Sequence, residues 1–286
     1  MRAPSERAFL DDAALRQHHL RQQQQQQLLE RKRAAVAASG TATCGKSAAL
    51  GGGVSASVRE RTVVVFDWDD TLCPSSWLHA ENLLPKYRGH QIMATREQRR
   101  MLALIEANVV RLLKKAVSYG PVFVVTAAEY GWVEMSCALY LPSVQQLLEL
   151  SDIHIVSARS WYEQTFGAGG DSNSWKHEVM QLIARKCFMQ QSDAKAAGGS
   201  EPAVYYNFVS VGDSMAERDA CHSAVGHVPF TFAKTLKFVE HPSSEEIVQQ
   251  VELTHDSFEQ MCGWGANLDL RLTRSQLQEL RCGAAN

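Results

Sequence analysis

Long apolar runs are missing from this chain: nothing in its 286 residues approaches the roughly 20 that a membrane span takes. The N-terminus lacks the apolar block of a secretory leader. Paired cysteines are missing as well. The seven cysteines are scattered without any C-x-x-C, which excludes a disulfide framework and a cysteine-built zinc site. Such usage predicts a reducing, intracellular compartment, the cytoplasm in the simplest case. Net charge is close to absent, −2 overall, so no basic surplus argues for nucleic acid. What is present is ordinary for a globular protein, 45% hydrophobic and 21% charged, in a chain long enough for one large domain or two small ones.

Residues 1–58 carry too little apolar surface for a packed domain. Gln22 to Gln27 form a glutamine run between His18-His19 and the basic cluster Arg31-Lys32-Arg33. Leu10, Leu15, Leu20, Leu28 and Leu29 stripe at most a lone helix, marginal by itself. Residues 39–57 turn to Gly, Ala, Ser and Thr, the composition of a flexible linker. The segment therefore reads as a disordered or partly helical extension, with partner binding or targeting as its functional alternatives. Within it, Gly40-Thr41-Ala42-Thr43-Cys44-Gly45-Lys46-Ser47 matches the phosphate-loop pattern letter for letter. That mechanism needs a buried strand before the loop and a helix after it. Arg33 to Ala38 is a poor strand and Gly51-Gly52-Gly53 stops a helix, so the match reads as coincidence.

The informative stretch is Thr62-Val63-Val64-Val65-Phe66-Asp67-Trp68-Asp69-Asp70-Thr71-Leu72. A short apolar, β-branched run predicts a strand buried on both faces, the central strand of a parallel sheet. Unpaired carboxylates do not belong in such a core, so the acids belong where the strand emerges. At that edge of an open α/β sheet ligands bind. Several carboxylates close together suit a hard cation, Mg²⁺ above all.

Further along, strand and helix patterns alternate. A helix is predicted over Arg96 to Ser118, with Leu102, Ile105, Val109, Leu112 and Leu113 on one face. Strands follow at Val122–Thr126 and Asp152–Ser157, with a helix between them broken at Pro142. Trp175-Lys176 opens another helix after a polar, glycine-rich loop, and residues 192–202 form a loose loop. A fourth strand, Tyr205 to Val211, ends in Gly212-Asp213-Ser214 and leads into a helix carrying Glu217 and Asp219. A fifth strand region covers Val228 to Val239, and a closing helix Ser243 to Met261. The order predicts an α/β fold, a Rossmann-like three-layer sandwich with a mainly parallel central sheet. It occupies residues 59–262, followed by a tail over 263–286 that is either a short helix or loose. The rim of that sheet then gathers Asp67, Asp69, Thr71, Thr126, Lys176 and Asp213.

Asp-x-Asp-x-Thr after an apolar strand, then Val-Val-Thr126, Lys176 and Gly212-Asp213 in order, resembles the haloacid dehalogenase-like (HAD) phosphohydrolases over residues 62–240. The resemblance implies a phosphomonoesterase that works through an aspartyl-phosphate. It makes Asp67 the nucleophile and Asp69 the general acid/base. Thr71, Thr126 and Lys176 would bind the phosphoryl oxygens, and Mg²⁺ would sit on Asp67, the Asp69 main-chain carbonyl and Asp213. Lys186 is the fallback for the lysine. Glu217 is read either as orienting a metal-bound water or as a solvated helix residue. Asp70 stands where many members have glycine. The family also leads one to expect a hairpin flap after Pro74, with Trp68 and Trp77 as walls of the mouth.

Two other readings compete. A phosphoacceptor receiver domain uses similar residue types, but its acceptor aspartate follows the third strand, and here that strand ends at Val156-Ser157. A catalytically silent relative acting as a scaffold is the second. The interval Ser157 to Trp175 is too short for an inserted domain, which predicts a lidless, open mouth suited to bulky phosphosubstrates, macromolecules included. His177, His222 and His227 have no trusted ligand spacing and read as surface or core residues. Cys73 reads as a small buried residue.

Overall fold

The computed structural model describes residues 61–85, 91–189 and 205–283, with the side chains of residues 189 and 280–283 outside that description. The N-terminal extension, its glutamine run and phosphate-loop match, and the whole loop at 192–202 lie outside the described residues. Six strands form one all-parallel sheet: β1 (Thr62–Asp67), β2 (Val122–Thr126), β3 (Ile153–Ser157), β4 (Tyr206–Gly212), β5 (Thr231–Lys237) and β6 (Leu268–Arg271). Their spatial order is β3-β2-β1-β4-β5-β6. The helices are α1 (Ser75–Ala80), α2 (Arg96–Val117), α3 (Trp132–Tyr140), α4 (Pro142–Leu150), α5 (Ala158–Phe166), α6 (Ser172–Ala184), α7 (Met215–Gly226), α8 (Ser244–Gly263) and α9 (Arg274–Gly283). A single π-turn, Arg185–Met189, follows α6.

The sheet divides two cores. Val64 and Phe66 of β1 pack with Ile105, Val109 and Leu112 of α2, Cys137 of α3, Val144 of α4 and Val251 and Phe258 of α8. Val63 and Val65 point the other way, onto Ala158 of α5, Val179 and Met180 of α6 and Ala220 and Ala224 of α7. This is the period-two alternation of a strand buried on both faces, and all six residues of β1 are buried. Each fully buried Val or Phe there contributes roughly 1.5–3 kcal/mol. The result is the expected three-layer, Rossmann-like α/β sandwich.

Helix starts follow local chemistry. Thr95 and Gln98 form a reciprocal capping box at α2, as do Ser214 and Glu217 at α7 and Ser243 and Glu246 at α8. Pro142 sits in the first turn of α4, where its missing N–H costs nothing.

Three sequence expectations are corrected. The residues after Pro74 form a turn and α1 rather than a hairpin flap. The reason is Asp70, whose Oδ1 accepts Ser76 N at 2.7 Å while Pro74 O accepts Leu78 N. Trp68 is no wall of the mouth: it is fully buried, with Nε1 donating to Ser136 Oγ at 2.9 Å. The C-terminal stretch holds the short helix offered as one option, α9, but β6 precedes it and pairs with β5 (Lys234 opposite Leu268), carrying the sheet past residue 262. A helix not anticipated, α5, fills part of the Ser157–Trp175 interval.

Candidate active site

The chain order reverses between β1 and β4, which lie side by side with Phe66 opposite Val211. That switch point is where the carboxyl ends of parallel strands leave a crevice for ligands. Asp67 ends β1 level with Gly212, and Asp213 is the next residue beyond β4. On the other side of β1, Asp67 is opposite Val125, which puts Thr126 one step past it. The register alone therefore gathers Asp67, Thr126 and Asp213 at one rim.

Lys176 reaches this rim from α6. Asp171 caps that helix by accepting Ser174 N at 2.9 Å, and the glycines before it bring the chain around. Lys176 is 5% exposed and its Nζ donates to Asp67 Oδ1 at 2.5 Å. The same ammonium pairs with Glu217 Oε1. Lys186, the fallback, is exposed on the π-turn and plays no part. Glu217 is buried, which removes its reading as a solvated helix residue. Its Oε2 accepts Ser214 N at 3.0 Å and Ser214 Oγ at 2.6 Å. Burial works to neutralise Lys176, yet the two flanking carboxylates hold its ammonium above the usual lysine value. Glu217 is likewise disfavoured by burial but kept below the ordinary carboxyl range by Lys176 and Ser214.

Asp69 is half-buried and doubly held. Thr126 Oγ1 donates to its Oδ2 at 3.0 Å, and Trp132 Nε1 donates to its Oδ1 at 2.8 Å. Thr126 in turn accepts Ala128 N at 3.0 Å. Thr126 thus meets a carboxylate here, where phosphoryl oxygens were expected. Thr71 is fully buried and its hydroxyl has no hydrogen-bond partner. Leaving such a group unsatisfied costs about 1–3 kcal/mol, and a bound oxyanion would supply the acceptor. Asp70 adopts φ +54° and ties its carboxylate to Ser75 and Ser76 of α1, with His241 Nδ1 3.7 Å from Oδ2. Asp213 is half-buried, and its carbonyl accepts Lys237 Nζ at 2.9 Å.

Carboxylates outnumber cations at the rim. Burial, reinforced by Glu217 and Asp69, pushes Asp67 well above the carboxyl range against the pull of Lys176. Burial with Glu217 and Asp70 pushes Asp213 up to about 7. Among the described residues, no three His, Cys, Asp or Glu side chains gather as a metal cage. The rim offers hard oxygens instead: the Asp67 and Asp213 carboxylates and the Asp69 carbonyl. This donor set, with its surplus of negative charge, fits Mg²⁺ completed by phosphoryl oxygens and water.

The remaining candidates are elsewhere. His177 Nε2 bonds Ser223 Oγ at 2.6 Å, His227 is exposed, and Asp219 pairs with Arg218 on the surface. His222 has a buried Nε2 without a partner on α7. Cys73 is buried, as are Cys137, Cys221 and Cys262. Sequence reasoning missed Trp132, whose only signal is its place just after Gly131, a left-handed N-cap at φ +91°. It also left Glu217 undecided, although Ser214-x-x-Glu217 reads as a capping box. Among the described residues no helix is long and apolar enough to cross a membrane.

No family model, curated protein or solved structure matches this chain.

Proposed function

We propose that the chain is a Mg²⁺-dependent phosphomonoesterase that forms an aspartyl-phosphate on Asp67, as the resemblance to the HAD phosphohydrolases implies. The observation that carries this reading is the buried Asp67–Lys176 ion pair at the β1/β4 switch point, next to an Asp69 oriented by two donors. A carboxylate attacking an anionic phosphoryl group needs that charge neutralised and the ester held in line. Asp67, Asp213 and the Asp69 carbonyl would hold Mg²⁺, which would supply charge neutralisation at the phosphoryl oxygens. Asp67 attacks phosphorus, and Asp69 gives a proton to the leaving oxygen. Asp69 then takes a proton from the water that cleaves the aspartyl-phosphate. Lys176 offsets charge on the phosphoryl group, while the Thr71 and Thr126 hydroxyls donate to its oxygens. Eighteen residues separate β3 from Lys176, and they hold only the short helix α5 and the first turn of α6, so an open mouth and bulky phosphosubstrates go with this reading.

The test is hydrolysis of p-nitrophenyl phosphate and a panel of phosphopeptides and small phosphoesters by the full chain with Mg²⁺. Turnover that exceeds Asp67→Asn by at least about a hundredfold, and that is lost to a chelator, is the expected result. Equal rates for wild type and Asp67→Asn on every substrate would leave a catalytically silent scaffold as the better description.

A further inference from the structure

The first turn of α3 is linked twice to the loop that carries the proposed nucleophile and acid. Trp68, between Asp67 and Asp69 in sequence, donates from Nε1 to Ser136 Oγ at 2.9 Å. Ser136 Oγ is 2.7 Å from the Trp132 carbonyl and 3.1 Å from that of Val133, sharing its proton between them. Trp132, the first residue of α3, closes the circuit by donating to Asp69 Oδ1 at 2.8 Å. The buried tryptophan beside Asp69 and the donor on Asp69 are thus fastened to the same helical turn.

The two donors on Asp69 differ in kind. An indole N–H is a donor only and sits on a rigid ring. The Trp132 ring packs against the core beneath it, so the N–H stays on Oδ1. A threonine hydroxyl rotates freely. The Thr126 proton on Oδ2 can therefore turn to a phosphoryl oxygen while its oxygen keeps the Ala128 N–H.

We infer that Trp132 is the positioning residue of Asp69, fixing Oδ1 and so assigning proton transfer to Oδ2. The inference rests on the phosphatase reading above. In the first step the bond from Asp67 to phosphorus forms, the bond from phosphorus to the leaving oxygen breaks, and the Oδ2 proton passes to that oxygen. The phosphomonoester monoanion supplies the proton that Oδ2 carries into this step. In the second step water oxygen bonds to phosphorus, its proton goes to Oδ2, and the Asp67–phosphorus bond breaks.

A positioned acid matters most for a leaving group that cannot depart as an anion. An alkoxide needs the proton, whereas 2,4-dinitrophenolate hardly does. Trp132→Phe keeps the ring and removes the N–H. The experiment measures kcat and KM of the full chain with Mg²⁺ on an alkyl phosphate and on 2,4-dinitrophenyl phosphate. It compares wild type, Trp132→Phe, Asp69→Asn, the double variant and Asp67→Asn. The expected result is a fall of about tenfold in the alkyl-to-aryl kcat ratio in Trp132→Phe, with KM moving much less. In the Asp69→Asn background, Trp132→Phe should lower that ratio no further, because it acts through the same carboxylate.

A Trp132→Phe loss that falls equally on both esters, or that adds to Asp69→Asn, assigns Trp132 to packing and overturns the inference. An unaltered ratio overturns it as well. Wild-type rates no higher than those of Asp67→Asn overturn the phosphatase reading and this inference with it, an outcome distinct from an active enzyme whose ratio ignores Trp132.

Discussion

The Glu217 side chain fills the space that a methyl group on Gly212 would enter. A Cβ built there would lie 2.4 Å from Glu217 Cγ, 2.7 Å from Cδ and 2.8 Å from Oε2. The glycine is thus required for volume. Its absent side chain lets an acid from α7 pass over the end of β4 and meet a lysine from α6. Gly212→Ala should push Glu217 off Lys176, lowering stability and, on the phosphatase proposal, turnover as well. Overpacking of this kind costs roughly 1–3 kcal/mol, read from the urea midpoint. Glu217→Ala makes room, so the double variant should lose less than the two single losses added together. Simple additivity would show that the two residues do not compete for the same space.

Lys176 is the cation that Asp67 and Glu217 share, and all three side chains are buried. Lys176→Met should leave two buried carboxyls without a counter-charge, a loss of about 3–5 kcal/mol at neutral pH. Those carboxyls would then hold protons more tightly in the folded than in the unfolded state. Stability of the variant should accordingly fall as pH rises through the range where they ionise. Chemical denaturation at pH 5 and pH 7.5 should find Lys176→Met closer to wild type at the lower pH. A deficit independent of pH would point to lost packing by the lysine stem.

The sheet and most of the rim could be read in advance because they depend on local pattern. Val63 to Phe66 announces a buried strand, and the acids that follow it have nowhere to go but its end. Order along the chain then brings Thr126, Lys176 and Asp213 to that end, since parallel strands share one rim. What escaped depends on packing between distant segments. Trp68 looks like a site residue because it stands between two acids, yet alternation turns it to the core, where Ser136 meets it. Trp132 touches Asp69 only because α3 packs against the loop that follows β1, where Ser136 holds Trp68. The strand β6 is short, mostly exposed and of weak pattern. Its connection also breaks the expected hand. Both β4–α7–β5 and β5–α8–β6 step the same way along the sheet, but α7 and α8 lie on opposite faces.

Beyond its backbone pairing with β5, that edge strand is tied to its neighbours by the Asp269 carboxylate. Asp269 accepts Arg218 Nε at 2.8 Å and Thr235 Oγ1 at 2.9 Å, joining β6 to α7 and β5. Because the Arg218 pair is partly exposed, solvent weakens it, and Asp269→Ala should cost only about 1 kcal/mol. The expected signature is local: amide exchange in Leu268–Arg271 should quicken in the variant while that of β1 holds. Equal acceleration in both strands would mean that β6 opens only with the whole sheet.

Lys234 offers a separate pH test, remote from the rim. It is fully buried on β5 and, among the described residues, its hydrogen-bond partners are two carbonyls, Cys262 O at 2.7 Å and Trp264 O at 2.6 Å. Those carbonyls close α8, where the helix dipole favours a cation. Burial nevertheless outweighs them and pulls the ammonium down to about 8. An unfolded lysine titrates near 10.4. Between these values the unfolded chain binds the additional proton, so the contribution of Lys234 to stability rises with pH, by roughly 2–3 kcal/mol across the window. Below pH 8 both states are protonated and the cost of the buried charge is fully present. Lys234→Met removes the titration and keeps a similar volume. Urea midpoints from pH 7 to pH 10.5 should therefore converge, the wild type gaining on the variant as the pH rises. Two parallel curves would mean that the carbonyls of α8 hold the ammonium charged throughout.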